Sequence, residues 1–400
     1  MNRANHDDPV VIAASARTPI GGFQASLASL RAPDLGGAAI AAALERAGIR
    51  GDDVAEVLMG CVLTAGQGQA PARQAAFAAG VPEHVPCSTI NKMCGSGMKT
   101  VMIACEALAT RPNDIVVAGG MESMTNAPHL LPKMRAGLRL GHGTVSDHMF
   151  LDGLEDAYDH GRLMGTFAED TAEAYQFTRA AQDGYAVTSL ERARRAAEDG
   201  TFEAEIVPVE VNGADKPARS VDRDEHPQRA RPERIAELKP AFRLDGTVTA
   251  ANSSSISDGA AALVVMRQGE AERRGIAPMA RVVAAVSHAR APAAFTTAPI
   301  GAINMLLERA GWSRGEVGLF EINEAFAVVP MAAMRDLGIP HDVVNVHGGA
   351  CALGHPIGAS GARILVTLIN AMKRRDVRRG VAAICIGGGE ATAMALELAR

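Results

Sequence analysis

Three segments place a nucleophile or a base beside glycines. In Asn91-Lys92-Met93-Cys94-Gly95-Ser96-Gly97 a cysteine stands between an expected strand, Ser88-Thr89-Ile90, and the expected start of a helix. Helix N-terminal amides favour an anion, so a thiol there is expected to ionise below its usual pKa of about 8.5. Gly95 and Gly97 remove side chains and would let a substrate carbonyl approach the sulfur and a backbone N–H. The run Gly95-Ser96-Gly97-Met98-Lys99-Thr100 superficially suggests a phosphate loop, but that loop needs Gly, Lys and Ser or Thr in succession, and Met98 interrupts them.

The second segment runs from Gly348-Gly349-Ala350-Cys351 through Gly354-His355-Pro356 to Ser360-Gly361. A histidine in a glycine-rich loop before a helix is poised for backbone-lined acid/base chemistry, and His355 is the candidate acceptor of the Cys94 proton. Cys351 and His355 are too few for a zinc site, so no metal is expected and Cys351 is read as a packed thiol. The third segment, Cys385-Ile386-Gly387-Gly388-Gly389, ends a buried-looking strand in glycines whose amides can face a developing oxyanion. Cys385 is a candidate acid/base. Asn323, in Asn323-Glu324-Ala325-Phe326, reads equally well as a catalytic residue or as the cap of a helix beginning there.

Composition sets limits on what these residues serve. The 400 residues exceed one ordinary core and imply at least two folding units. Forty basic and 45 acidic side chains, spread along the chain, give no reason to expect nucleic acid as a partner. No apolar run approaches the roughly 18 residues of a membrane span, and the opening Met1 to Asp8 is polar, so neither membrane insertion nor secretion is expected. Six cysteines without a C-x-x-C pair make no disulfide framework, which fits a reducing, cytoplasmic setting.

Short β-branched runs alternate with Ala-rich stretches: strand at Val10-Val11-Ile12, helix over 34–47, strand at Val57-Leu58-Met59. The rhythm resumes after Ile276, with strands at Val282-Val283 and Phe320-Glu321-Ile322 about a helix over 300–310. This predicts an α/β protein with a substantially parallel sheet. Between the two parts the chain turns polar, with a charged helix over 178–198 and a Pro- and Arg-rich stretch over 216–239. Residues 124–252 are therefore expected to form an inserted domain covering the site, between an N-terminal half (1–123 and 253–277) and a C-terminal half (278–400). The halves repeat weakly: Ser96-Gly97 opens a helix leading to a strand and Gly119-Gly120, and Ser360-Gly361 opens one leading to Cys385 and Gly387-Gly388-Gly389. Two such halves facing each other would converge their helix N-termini on one cleft.

The ordered set N-x-x-C-x-S-G, N-E-A-F, G-H-P-x-G-x-S-G and C-x-G-G-G, with Arg17-Thr18-Pro19-Ile20-Gly21 and Gly119-Gly120-Met121-Glu122-Ser123-Met124, resembles the thiolase family over nearly the whole chain. The resemblance implies two similar α/β halves in a five-layered αβαβα core, an inserted loop domain and a homotetramer. By position Cys94 matches the acylated nucleophile, His355 its base, and Cys385 the residue exchanging a proton with the substrate α-carbon or the CoA sulfur. Asn323 matches the holder of a water that, with His355, stabilises a thioester enolate, and the N–H groups of Cys94 and Gly387 match an oxyanion hole.

The implied reaction joins two acetyl-CoA into acetoacetyl-CoA and CoA, reversibly, with CoA thioesters as substrates and no resident cofactor. Met164, in Leu163-Met164-Gly165, and Phe295 match positions narrowing the acyl pocket, which favours short acyl groups, and Ser254 matches a residue near the pantetheine amide. Arg229, Arg231 and Arg234 are candidates for the CoA phosphates, with solvated surface as the other reading. Where the family commonly has a further glycine two residues after Gly389, this chain has Glu390-Ala391, a possible change of backbone path. The competing readings are a longer-chain 3-ketoacyl-CoA thiolase, a non-catalytic lipid carrier of the same fold, and a nucleotide-binding α/β protein. The retained Cys94, His355, Asn323 and Cys385 count against the carrier, and the absence of G-x-G-x-x-G counts against the nucleotide binder.

Overall fold

A computed structural model describes residues 8–211 and 218–399; the segment 1–7 and the first two residues of the 216–239 stretch lie outside them. The N-terminal half comprises β1 (Val10–Arg17), α1 (Ala32–Ala47), β2 (Glu56–Gly60), α2 (Pro71–Ala78), β3 (Cys87–Ile90), α3 (Ser96–Leu108) and β4 (Val116–Ser123). In the inserted stretch lie α4 (Met164–Ala174) and α5 (Arg179–Glu198), after which β5 (Ser257–Arg267) completes the half. The C-terminal half contains β6 (Ala280–Ala289), α6 (Ala298–Ala310), β7 (Leu319–Ile322), α7 (Val328–Leu337), α8 (Ile357–Arg374), β8 (Arg379–Ile386) and β9 (Glu390–Leu398).

The strands join in the order β7-β8-β9-β6-β1-β5-β4-β2-β3, with Gly21–Gly22 pairing alongside β5. Outward from the β1–β6 seam the order β1-β5-β4-β2 matches β6-β9-β8-β7, with β3 added at the outer edge of the N-terminal half; at the seam only Val11 with Arg281 and Ile12 with Ala280 are in register. Each half even bulges at the same point, β1 against β5 between Ile12 and Ala14 and β6 against β9 between Val282 and Ala284. The expectation of a mostly parallel sheet is corrected: β2 runs parallel to β3 and β4, and β7 to β8, but every pairing from β4 through β5, β1, β6 and β9 to β8 is antiparallel. The strand–helix rhythm holds only in the first part of each half. β9 returns through a tight turn rather than across a helix, and a short hairpin can join only antiparallel strands.

Alternation along the strands separates the layers. On one face Val57, Met59 and Val117 pack with Leu35, Ile40 and Ala43 of α1. Leu58, Val116, Ala118, Ala382 and Ile384 turn inward onto Met98 and Val101 of α3 and Ile364, Leu365 and Leu368 of α8. Val381, Ala383 and Cys385 face α6 and α7 in a third core. Three cores between helices and sheet halves make five layers, and α8, sandwiched centrally, is apolar or buried on nearly all sides, as a central helix must be.

The middle layer is close-packed through glycine. A Cβ on Gly97 would stand 2.8 Å from Ala362 N, one on Gly361 2.4 Å from Met98 N, and one on Gly120 2.0 Å from Gly358 O. Only hydrogen at these positions lets α3, α8 and the strand ends meet backbone to backbone. The residues just before each central helix are thereby brought to one end of the layer.

The inserted stretch is tied to β1 by the fully buried Arg17, which reaches Glu205 at 2.9 Å and Asp224 at 2.7 Å. Thr178 caps α5 by accepting a hydrogen bond from Ala181 N–H. No helix begins at Asn323: α7 starts five residues later at Val328, so the capping alternative for Asn323 is overturned.

Candidate active site

Cys94 lies on a sharp elbow. Met93 before it adopts φ +48°, a left-handed conformation costing an L-residue about 1–2 kcal/mol. Local hydrogen bonds hold it there: Met93 N–H donates to Asn91 Oδ1 at 2.9 Å, Lys92 N–H to Ser96 Oγ at 2.8 Å, and Ser96 Oγ–H to Met93 O at 2.6 Å. Helix α3 begins only at Ser96, with Gly95 as its N-cap, so the sulfur precedes the helix rather than occupying its first turn.

Cys94 is only partly buried, yet desolvation of its sulfur pushes the thiol up to about 11, against the N–H groups of Gly387 and Cys94 itself, with Glu122 adding a smaller push in the same direction. The expectation of a depressed thiol is thus corrected for the resting protein, because desolvation outweighs two amide dipoles. The roles expected for the glycines change too. Gly97 faces α8, and a Cβ on Gly95 would strike Ile386 Cδ1 at 2.4 Å, so both serve packing between the halves.

The C-terminal half supplies the facing wall. Cys385, 1% exposed, sits next to last on β8 opposite Ala391, and its thiol is driven well above its ordinary value first by burial and then by the neighbouring Cys94 charge. Gly387 opens the turn to β9. Gly388 and Gly389 adopt φ +91° and +90°, and a Cβ on Gly389 would lie 2.6 Å from Arg290 O and Ala291 O. Gly387 presents its amide to sulfur, while the next two glycines make the turn possible. Glu390 pairs with Ile386 in the ladder and with Lys92 across the halves, and Ala391, where the further glycine would stand, pairs with Cys385 within regular strand.

His355 is buried, its main-chain N–H donating to Ser255 O at 3.1 Å. Its Nδ1 lies 2.5 Å from Ser360 Oγ, whereas Nε2 is buried without a partner among the described residues. Burial, then the Arg363 charge, lowers its pKa to about 3, so the imidazole is neutral at pH 7. Ile357, two residues on, packs in one cluster with Cys94. Asn323 is fully buried beyond β7; its N–H donates to Ala383 O at 2.9 Å, two residues from Cys385 along β8. Both polar atoms of its side chain lack partners among the described residues. Buried amides are almost always satisfied, so this one marks a place where a polar group is to be received.

Met164 begins α4, its sulfur 3.5 Å from where a Gly387 Cβ would stand. Phe295 is buried edge-on to Phe167 at 6.1 Å, in the same core as Cys385 and Phe326. Ser254 turns its hydroxyl onto Ala325 O at 3.0 Å, and its neighbour Ser253 bridges to Phe326, so this segment lies along the Asn323–Phe326 loop. The three arginines do not converge. Arg229 pairs with Glu225 beside Ser26 and Arg219, whereas Arg231 and Arg234 line a pocket of about 310 Å³ with Ala250, Ala251 and Cys351.

With this geometry in place, comparison with known proteins is decisive. The thiolase N-terminal domain matches residues 10–269 and the thiolase C-terminal domain residues 276–398. The chain belongs to the thiolase family. It is 51% identical to acetyl-CoA acetyltransferase 2 of Arabidopsis thaliana over 97% of each chain, and 46% identical to the acetyl-CoA acetyltransferase of Allochromatium vinosum over 98% of this chain and 99% of that one. Among solved structures, the crystal structure of the Acat5 thiolase from Ascaris suum in complex with coenzyme A superposes with a TM-score of 0.92 at 40% identity, covering 98% of this chain and all of the other.

Two carboxylates of this thiolase escaped the reading of its residues. Glu122, fully buried, accepts from Val62 N–H at 3.0 Å, Leu63 N–H at 3.1 Å and Gly358 N–H at 2.9 Å, tying the end of β2 to the start of α8; burial still holds it up to about 7. Glu324 accepts from Tyr185, Ser189, Asn345 and Cys351 N–H at 2.8 to 3.0 Å and so anchors the loop beyond Asn323. The available signal was a carboxylate inside a stretch otherwise fit only for a core, as in Val116-Val117-Ala118-Gly119-Gly120-Met121-Glu122.

Proposed function

We infer that this thiolase is an acetyl-CoA acetyltransferase, condensing two acetyl-CoA into acetoacetyl-CoA and CoA and catalysing the reverse thiolysis through an acetyl-Cys94 intermediate. The observation carrying this reading is the sulfur of Cys94 facing the Gly387 amide, with the Cys385 thiol beside it, in a chain of that family.

In the first half-reaction Cys94 attacks the acetyl-CoA carbonyl, and its proton passes to Nε2 of His355. The N–H groups of Cys94 and Gly387 face the oxyanion, a contribution worth about 10²–10³ in rate per donor. CoA departs as a thiolate and takes the Cys385 proton, leaving a Cys385 thiolate and a His355 imidazolium. Two thiols and a buried neutral imidazole at rest thus become an ion pair only once the acyl group is in place. The Cys385 thiolate then removes an α-proton from a second acetyl-CoA. The enolate oxygen is received by His355 and by a water held on Asn323, whose side chain is otherwise unpartnered. Its carbon attacks acetyl-Cys94, and the expelled Cys94 thiolate regains its proton from His355. Protons balance over the cycle, and no metal or resident cofactor is required.

Met164 beside Gly387, with Phe295 behind, favours a short acyl group, and Ser254, Arg229, Arg231 and Arg234 are assigned to CoA, the two latter through the pocket they share. A homotetramer is part of the same reading, supported by Leu131, Met134, Leu138, Leu140 and Val145 standing exposed in one segment of the inserted stretch. A cytoplasmic setting is supported by the six free cysteines.

Incubation with acetyl-CoA followed by peptide mass spectrometry should place the acetyl group on Cys94; label on Cys351 or Cys385 alone would overturn the assignment. Thiolysis should favour acetoacetyl-CoA over longer 3-ketoacyl-CoA, and Met164→Ala should narrow that preference tens-fold at most, since a methylene in such a pocket is worth about 1–3 kcal/mol.

A further inference from the structure

Ser96 and Ser360 occupy the same place in the two repeats, each the residue before the glycine at which α3 and α8 cross. Each hydroxyl turns back on the loop preceding its helix. Ser96 donates to Met93 O and accepts from Lys92 N–H, fixing the Cys94 elbow through main chain alone. Ser360 lies 2.9 Å from Pro356 O and 2.5 Å from His355 Nδ1, so it bonds a side chain directly.

A serine hydroxyl carries one proton. Pro356 O already accepts the N–H groups of Ala359 and Ser360, so the other ring nitrogen decides. A hydrogen on Nε2, which has no partner among the described residues, would bury a donor without an acceptor, which is rarer than a bare buried acceptor. The Ser360 oxygen therefore accepts from Nδ1 while donating to Pro356 O. Nδ1 therefore carries the ring hydrogen. A neutral imidazole has a single N–H, which leaves Nε2 as the bare nitrogen, buried and without another partner among the described residues.

We propose that Ser360 is the positioning residue of the catalytic base: it holds His355 in the Nδ1–H tautomer and so aims the lone pair of Nε2 into the site. The inference rests on the role given to His355 above, but the tautomer itself is independent of that role. Without the Ser360 oxygen, Nδ1–H would lose its acceptor inside the core. Neither ring nitrogen would then have a partner among the described residues, so the preference for Nδ1–H is lost and the ring is free to exchange tautomers or turn over, and either change removes the base.

Nitrogen-15 spectra of the histidine-labelled protein at pH 7, with His355 assigned by its loss in His355→Asn, test this without any substitution at Ser360. Nδ1 is expected at the shift of an N–H nitrogen and Nε2 at that of a bare one; the reverse, or an average of the two, overturns the proposal. In Ser360→Ala the two shifts should converge or exchange. The rate of Cys94 acetylation should fall about 10–100-fold with KM for acetyl-CoA little changed, by analogy with the loss seen when the partner on the other nitrogen of a metal-bound imidazole is removed. Lost activity with His355 shifts unchanged would mean that Ser360 acts only through packing, which also overturns it. Should Cys94 prove not to be acetylated in the wild type, the proposed reaction fails while the shifts still decide the tautomer.

Discussion

The two halves share a strand order and a bulge, yet they treat the ends of equivalent strands differently. Beyond β2 the N-terminal half enters Cys61-Val62-Leu63, where Glu122 accepts from the Val62 and Leu63 amides. Beyond β7 the C-terminal half enters Asn323, whose side-chain amide is buried with neither polar atom bonded. Before α3 stands a thiol supported by amides, and before α8 an imidazole bonded on one nitrogen only. At these two pairs of equivalent ends the duplicated scaffold thus satisfies the polar groups of the N-terminal half and leaves those of the C-terminal half open. The open ones, Asn323 and Nε2 of His355, define where a reacting oxygen and a mobile proton are to be received, whereas the N-terminal half contributes the nucleophile and a rigid frame.

The sharpest test separates the cysteine each half contributes. Cys94→Ala should abolish acetyl-enzyme altogether, since no sulfur remains to attack. Cys385→Ala should still form acetyl-enzyme when trapped with acetyl-CoA, while deuterium exchange into the acetyl methyl group and condensation fall by about 10²–10⁴-fold, the scale of a lost acid/base. Undiminished exchange in Cys385→Ala would break the division of labour and move attention to His355.

A smaller effect is expected at the unsatisfied amide. Asn323→Ala should lower condensation by about 10²-fold, consistent with one lost oxyanion donor, and acylation of Cys94 much less. Equal loss in both steps would mean that Asn323 supports the fold rather than the enolate.

The halves should also differ, more modestly, in how pH affects their stability. In the C-terminal half burial lowers His355 to about 3 and His347 to about 4, so the unfolded chain binds more protons between those values and about 6.5. Their contribution is intact above about 6.5 and is lost as pH falls through that window. Glu122 in the N-terminal half has the opposite sign: raised to about 7, it stabilises fully below about 4.5 and loses its contribution as pH rises through 7. Thermal midpoints should therefore show His347→Gln reducing the loss of stability as pH falls below about 6.5, and Glu122→Gln removing the opposing loss as pH rises from about 4.5 to 7, each by about 2–4 °C. Parallel shifts at all pH values would exclude titration as the cause.

Much of this was legible in the residues. Hydrophobic runs located β1, β2, β7 and most of α1 and α6, and the Ser-Gly repeat anticipated the facing helices. The thiol's acidity was misjudged because a helix N-terminus is visible in sequence and desolvation is not. Gly97 was assigned to substrate access because its contact, Ala362, is 265 positions away in the chain. Ser360 and Glu122 lie within the sequence motifs, but their partners, His355 Nδ1 for the one and three amide donors for the other, converge on them only in the folded chain.

The inserted stretch bears on the order in which the molecule is assembled. β4 ends at Ser123 and its antiparallel partner β5 begins only at Ser257, so on a ribosome the first half lacks the strand joining β1 to β4 until nearly two-thirds of the chain has emerged. Closing so long a loop must precede the contacts that reward it, which slows folding. The second half, by contrast, is continuous from β6 to β9. Its central helix α8 buries residues against both halves, so the nascent first half waits with the inner face of its sheet uncovered, the state in which a folding intermediate is most prone to aggregate. The base and the last layer of the core arrive together, and the nucleophile acquires its partner only when synthesis is almost complete.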